Sequence, residues 1–113
     1  MEDQESIYQI IITQPAYDAF FEIAEYLYAY YPDSKADKIT NQLFEKVSTL
    51  KKRPQRGAIE PRLAHRSFEY RFILFQRHRR ADIKIIYFIE KKDKTVYIAD
   101  FFPTEKDDTK IGR

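Results

Sequence analysis

The sequence predicts one α+β domain, in which a helical hairpin covers one face of a small, mainly antiparallel four-stranded sheet. Two amphipathic stretches follow each other between residues 16 and 50, and four stretches rich in β-branched and aromatic residues flank them in the order β-α-α-β-β-β. The length of 113 residues suffices for one hydrophobic core. We expect residues 1–113 to form a single domain with flexible ends at 1–6 and 104–113.

The first half of the chain predicts a strand followed by two helices. Ile7–Ile12 is β-branched and mostly apolar, as is typical of a buried strand. Thr13 can cap a following helix, Pro15 suits its first turn, and Pro32 ends it. A second apolar stripe over Ala36–Leu50 predicts a second helix. Because the link between the helices is so short, they must form an antiparallel hairpin.

The second half of the chain predicts three strands joined as a meander. They are expected over Phe68–Phe75, Ile83–Ile89 and Thr95–Phe102, where strand-forming residues dominate. Gln55–Arg66 has no clear period and is interpreted as a surface connection. The helical hairpin covers only one face of such a sheet, with the strand Ile7–Ile12 at an edge or between the others. We therefore expect function on the opposite, partly open face.

Composition restricts where the protein can work. Hydrophobic residues make up 43% of the chain, which is typical of a globular protein. Cysteine is absent, which excludes disulfides and fits a reducing compartment. The first six residues are acidic and polar, unlike a secretion signal, and no apolar run approaches the about 20 residues that span a bilayer. We expect a cytoplasmic protein without membrane contact.

Charge is distributed unevenly along the chain. Residues 1–50 carry three Lys against nine Asp and Glu, whereas residues 51–84 carry eleven Lys and Arg against three acidic residues. A basic block of this kind favours an anionic partner, such as RNA, DNA or an acidic protein segment. An ordinary solvated surface would have the same composition, and the sequence leaves both interpretations open.

Several chemistries are excluded by residue content. The two glycines, Gly57 and Gly112, cannot form a phosphate-binding loop or a dinucleotide fingerprint. His65 and His78 have no carboxylate at metal-ligand spacing, and no serine lies in a nucleophile elbow. We expect no metal and no cofactor. If the protein is an enzyme, cleavage of a phosphodiester by basic side chains is one of the few reactions that remain.

The order, length and spacing of these segments resemble the RelE/ParE toxin superfamily, and its ParE-type branch more closely. The resemblance covers roughly residues 7–108 and is carried by Ile7–Ile12, Ala16–Tyr26, Ala36–Leu50, Pro54–Gly57, Tyr70–Phe72, Ile83–Ile89 and Val96–Phe102. It implies the toxin of a bacterial type II toxin–antitoxin module for plasmid stabilisation. It also implies a cognate antitoxin that wraps the toxin, and growth inhibition when the antitoxin is lost.

The resemblance implies two different mechanisms. ParE-type members poison DNA gyrase without a reaction of their own. RelE-type members are ribosome-dependent mRNA endonucleases, in which the 2′-OH attacks the adjacent phosphate and basic residues stabilise the transition state without a metal. A third hypothesis is an inactive member that acts only as a binding module. Whether the chain is an enzyme therefore stays open, as does its assembly as a homodimer or a toxin–antitoxin hetero-oligomer.

The resemblance also implies site residues. If the chain is an RNase, Arg71, Lys84 and Lys106 are its candidate catalytic residues. Ile73 stands where RelE-type members carry a second Lys, and residues 103–105 replace their basic pair. Losing a preorganised charge costs such a transition state about 3 kcal/mol per group. These departures favour the gyrase-binding interpretation.

Two further sets of residues are predicted to bind partners. Candidate contacts to a target are Arg71, Arg77, Arg79, Arg80 and Lys84, although exposed cations also serve only to keep a surface solvated. The first helix carries a second set, Tyr26, Tyr28, Tyr30 and Tyr31. These four tyrosines cannot all face one way on a helix, so some must be exposed. An exposed aromatic strip favours a protein partner, either the antitoxin or a second toxin chain.

Overall fold

The computed structural model describes residues 7–76 and 82–104. Its two helices are α1 (Gln14–Tyr30) and α2 (Asp33–Ser48), and its five strands are β1 (Gln9–Ile12), β2 (Ala58–Ile59), β3 (Arg71–Gln76), β4 (Asp82–Glu90) and β5 (Thr95–Pro103). The strands form one sheet in the order β1-β5-β4-β3-β2. β1 runs parallel to β5, and every other pair is antiparallel. The predicted α+β class is confirmed, and of the two positions left open for the first strand the structure has the edge.

The predicted number of four strands is wrong, because β2 adds a fifth strand at the far edge of the sheet. Ala58 pairs with Phe72 and Ile59 pairs with Arg71. Both residues of β2 are exposed, so this strand has no apolar alternation that a sequence pattern could reveal. Backbone hydrogen bonds, which any residue type can make, define it instead.

Thr13 connects α1 to the sheet. Its Oγ1 accepts a hydrogen bond from the Ala16 amide at 3.4 Å, and the same hydroxyl donates to the Ile98 carbonyl of β5 at 2.8 Å. The predicted helix cap is confirmed. α2 returns antiparallel to α1, with the ring centroids of Phe20 and Phe44 4.7 Å apart.

The main core lies between the hairpin and one side of the sheet, which we call the helix-covered face. It contains Leu43, Val47, Ile85, Tyr87, Val96 and Ile98, all of them buried. We call the opposite side the open face; it presents Tyr70, Phe72, Lys84, Ile86, Phe88, Tyr97 and Phe102. At Ala99 the register between β4 and β5 shifts by one residue, since Ile86 pairs with Asp100 and Tyr87 pairs with Ile98.

The connection between α2 and β3 is not the simple surface segment that we predict from the sequence. Pro54, Gly57, Glu60 and Leu63 are all buried within it. Leu63 packs on Ile86 and Phe102 in a second, smaller core on the open face. This connection therefore covers part of the face that the sequence predicts to be open.

Within residues 7–76 and 82–104, neither helix has the length and apolar character needed to cross a membrane.

Candidate functional site

Arg71, the first residue of β3, lies on the helix-covered face because it pairs directly with Tyr87 of β4. Its guanidinium donates to the Gly57 carbonyl at 2.7 Å and to the Gln55 carbonyl at 3.2 Å. It also forms an ion pair with Glu69 at 3.3 Å, but the Glu69 side chain is 65% exposed, so this pair adds little stability. Arg71 thus ties the connection 54–57 to the sheet.

Lys84 of β4 lies on the open face, where it pairs with Leu74 of β3. Its Nζ is 2.8 Å from Oε1 of Glu60, a carboxylate whose side chain is fully buried. The other Glu60 oxygen accepts from the Arg62 amide at 3.0 Å, and the ammonium lies 4.4 Å from the ring centroid of Phe72. A buried carboxylate needs a partner of this kind, because leaving its charge unpaired would lower the free energy of unfolding by about 3 kcal/mol.

The two described cations of the predicted catalytic set are therefore not brought together. Side chains alternate between the faces of a strand, and the register between β3 and β4 puts Arg71 on one face and Lys84 on the other. The remaining predicted cations, Arg77, Arg79, Arg80 and Lys106, lie outside the described residues. Among described residues, no group of three or more His, Asp or Glu side chains could hold a metal ion.

The hydroxyl of Tyr87 is the polar centre of the helix-covered face. It donates to the Pro54 carbonyl at 2.5 Å and accepts from the Gly57 amide at 3.1 Å. Burial raises the pKa of Tyr87, and the Gly57 hydrogen bond and the charges of Arg56 and Arg71 oppose that shift only in part. Gly57 has no room for a side chain, because a Cβ there would overlap the Tyr87 hydroxyl and lie 2.8 Å from the Phe72 carbonyl oxygen.

A cleft of about 520 Å³ lies between α1 and the open face. Its floor is apolar and includes Ile86, Phe88, Ala99 and Phe102, and its walls include Asp18 and Glu22 of α1 and Arg66 of the connection. Rings extend the floor sideways: Phe68 stacks on Phe88 with centroids 4.2 Å apart, and Phe88 stacks on Tyr97 at 5.1 Å. The sequence patterns do not reveal this cleft, because its walls come from three separate parts of the chain.

The predicted partner-binding tyrosines lie on α1 and at its end. Tyr30 is 72% exposed, Tyr26 is 53% exposed, and their rings contact each other with centroids 4.8 Å apart. The Tyr28 hydroxyl donates to Asp37 of α2, and this hydrogen bond is the main reason that the pKa of Tyr28 is raised. Tyr31 is half-buried beneath the Lys35 ammonium.

Two further exposed aromatic residues, Tyr17 and Phe21, lie on the same helix, and the sequence analysis does not predict them as partner contacts. Their rings stack with centroids 6.2 Å apart. Their four-residue spacing is the available signal, since residues so spaced are neighbours on a helix surface. Tyr28 lies on the same flank of the exposed side of α1 as these two residues, whereas Tyr26 and Tyr30 lie on the other flank, about half a helical turn away. We call this exposed side, with the five rings on its two flanks, the aromatic face of α1.

A helical hairpin on a mixed sheet of this order defines the class of small RelE/ParE-like toxins. The family model described as ParE toxin of type II toxin-antitoxin system, parDE, matches residues 10–108. The chain belongs to this family and is a type II toxin, so it has a cognate antitoxin as partner.

Comparison with solved structures supports the same fold. A chain described as "Chromosomal ParDE TA system from P. aeruginosa" superposes with a TM-score of 0.66. The two sequences are 16% identical, and the match covers 87% of this chain and 97% of that chain. No curated protein sequence matches this chain.

Proposed function

We propose that this chain arrests growth by binding DNA gyrase through protein contacts, with no chemical step of its own. The observation that carries the proposal is the placement of Arg71 and Lys84 on opposite faces of the sheet. Metal-independent RNA cleavage needs cations that converge on one developing phosphate charge. Two cations separated by the sheet cannot meet at one phosphate.

The contacts of these two cations support the same conclusion. Lys84 neutralises the buried carboxylate of Glu60, and Arg71 donates to two backbone carbonyls. Turning Lys84 towards a substrate would leave the Glu60 charge buried and unpaired, at a cost of about 3 kcal/mol. Both side chains therefore act in folding, which leaves the toxin to work through its surface.

Purified chain tests the proposal in two parallel reactions. In the first, gyrase converts relaxed plasmid to supercoiled plasmid at increasing toxin concentration. In the second, programmed ribosomes carry a labelled mRNA. We expect supercoiling to be inhibited and the mRNA to stay intact. We also expect the Arg71→Gln variant to inhibit gyrase as strongly as the parent chain does. If the parent chain cleaves the mRNA and the Arg71→Gln variant does not, the proposal is contradicted and the RelE-like mechanism is selected.

We further propose that the antitoxin covers the aromatic face of α1. Five of the exposed large hydrophobic side chains in the described part of the chain lie there, namely Tyr17, Phe21, Tyr26, Tyr28 and Tyr30. Aromatic residues are enriched in protein interfaces, because they bury much area with little loss of side-chain entropy. Asp18, Glu22 and Glu25 lie between them, and α1 has no Lys or Arg. This charge favours an antitoxin segment that combines apolar residues with Lys or Arg.

The double variant Tyr26→Ser/Tyr30→Ser tests this surface by co-expression with the antitoxin. We expect the variant toxin to remain folded and to escape neutralisation, so that growth stays arrested. The matched control is Ile7→Ser, which removes a 58% exposed apolar side chain that is not part of α1, and this variant should still be neutralised. Full neutralisation of the double variant would contradict the proposal. If the parent toxin without antitoxin elutes as a dimer on gel filtration and the double variant elutes as a monomer, the aromatic face of α1 binds a second copy of the toxin instead.

A further inference from the structure

A basic segment crosses one end of the molecule after α2. Residues 51–57 start at the β1 edge, where the Lys51 carbonyl accepts from the Tyr8 amide at 2.9 Å. They then pass beneath the centre of the sheet, where the Pro54 carbonyl accepts from the Tyr87 hydroxyl at 2.5 Å, and they finish at β2. The crossing spans the four inter-strand gaps between β1 and β2, or roughly 19 Å.

The turn between β4 and β5 brings a second basic segment to the same end. The Lys94 carbonyl accepts from the Gln9 amide at 2.9 Å, and the Lys94 ammonium lies 5.8 Å from the ring centroid of Tyr8. Tyr8 thus contacts both segments. We call their cations the basic end: Lys51, Lys52, Arg53, Arg56, Lys91, Lys92 and Lys94. All seven residues are exposed. The turn contains one carboxylate, Asp93, and Glu90 precedes it at the end of β4, whereas residues 51–57 contain none.

Two cations of the basic end have an unfavourable backbone conformation. Arg53 has φ 52° and Lys94 has φ 50°, and they are the two non-glycine residues with positive φ in the described ranges. Arg53 also precedes Pro54, which favours extended backbone. Lys94 closes a turn whose last position favours glycine, with its amide donating to the Lys91 carbonyl at 3.2 Å. Glycine would fit both positions better, so the cationic side chains are present at an energetic cost.

We propose that the basic end binds the phosphate backbone of duplex DNA without sequence specificity. Five of its seven cations are Lys, which is depleted in protein–protein interfaces, whereas protein–DNA interfaces are polar and strongly basic. The binding does not require gyrase to be present and would add a DNA contact beside the gyrase contact proposed above.

The type of nucleic acid follows from two arguments. Single strands bind by stacking their bases on exposed ring faces. On the open face, the ring of Phe88 stacks on the rings of both Phe68 and Tyr97, so these rings already stack within the protein and a duplex fits better than a single strand. The choice of DNA over RNA rests on the proposed gyrase function, since gyrase works on DNA.

Fluorescence anisotropy with short labelled duplexes at several salt concentrations tests the proposal. The test variant is Arg53→Gly/Lys94→Gly. It removes two charges at positions whose positive φ glycine adopts without strain. The control, Lys35→Gln/Lys38→Gln, removes two charges from exposed positions of α2. We expect two unrelated DNA sequences to bind equally. In the test variant, the slope of log K against log salt should be less steep by about two, with the melting temperature unchanged or raised. The control should bind like the parent chain.

Three results would overturn the proposal. One is the absence of duplex DNA binding at low salt. Another is an unchanged salt slope in Arg53→Gly/Lys94→Gly. The third is tighter binding of duplex RNA or of a labelled oligoglutamate peptide, which would assign the basic end to RNA or to an acidic protein. No gyrase is present in these titrations, so a failed gyrase proposal and a failed DNA proposal can be told apart.

Discussion

The helix-covered face and the open face of the sheet both hold the connection between α2 and β3, but they do so with different chemistry. On the helix-covered face, the Tyr87 hydroxyl binds Pro54 and Gly57 within an otherwise apolar core. On the open face, the charge of Lys84 meets the buried carboxylate of Glu60. A neutral hydroxyl on one face and an ion pair on the other thus both hold the same connection against the sheet.

The largest effect is expected for Gly57→Ala. The added Cβ would displace the Tyr87 hydroxyl and crowd the Phe72 carbonyl, which combines overpacking with the loss of buried hydrogen bonds. We expect a loss of about 4 kcal/mol in the free energy of unfolding, measured by urea denaturation. The double variant Gly57→Ala/Tyr87→Phe should lose less than the sum of the two single losses. An additive result would show that the hydroxyl is not the obstacle.

Lys84→Met should cost about 3 kcal/mol, because it leaves the Glu60 carboxylate buried without its counter-charge. Glu60→Gln/Lys84→Met removes both charges and should recover most of this loss, since a neutral pair carries no such penalty. Equal instability of the single and double variants would mean that Lys84 stabilises the fold by packing on Phe72 rather than by its charge. Urea denaturation of the three variants decides between these outcomes.

Tyr87→Phe should cost about 2 kcal/mol, because the Pro54 carbonyl and the Gly57 amide lose their buried partner. The parent chain should also show a pH dependence that the variant lacks. Burial raises the pKa of Tyr87 above its value of 10.0 in the unfolded chain. Stability from this group is therefore complete below pH 10 and is lost as pH rises through the folded-state pKa.

Unfolding curves between about pH 8 and pH 11 measure this pH dependence. The difference in stability between the parent chain and Tyr87→Phe should shrink over the alkaline part of the range. Tyr28, whose pKa is also raised, is present in both proteins and cancels from the difference. A constant difference over the whole range would contradict the assignment.

The smallest effect is expected for Arg71→Gln, with a loss of about 1 kcal/mol, since its hydrogen bonds to Gln55 and Gly57 lie near the surface. Growth arrest on expression should be retained, because Arg71 has no catalytic role in the proposed function. Loss of toxicity in a variant that unfolds at the same urea concentration as the parent chain would make Arg71 part of the target-binding surface.

Much of the fold follows from sequence periodicity, and the exceptions have physical reasons. The two helices, β1 and the three strands of the meander have apolar patterns that predict them. β2 has none, because its two residues are exposed and paired only through the backbone. Glu60 is also unpredictable from pattern, since a glutamate is almost never fully buried unless it is paired.

The candidate site is harder to predict from the sequence than the fold, because it depends on the register between neighbouring strands. Whether Arg71 and Lys84 share a face depends on how β3 and β4 align, and a slip of one residue would reverse the answer. The sequence predicts both strands without fixing their alignment. The exposed tyrosines were easier, because four of them in six residues exceed what one buried helix stripe can hold.

The central claim is that the toxin acts on gyrase and not on translation. Expression of the chain alone from a tight promoter, with labelled methionine added in the first minutes, tests it most directly. We predict continued incorporation while growth stops and cells filament. A collapse of protein synthesis within minutes would contradict the claim and place the target in translation.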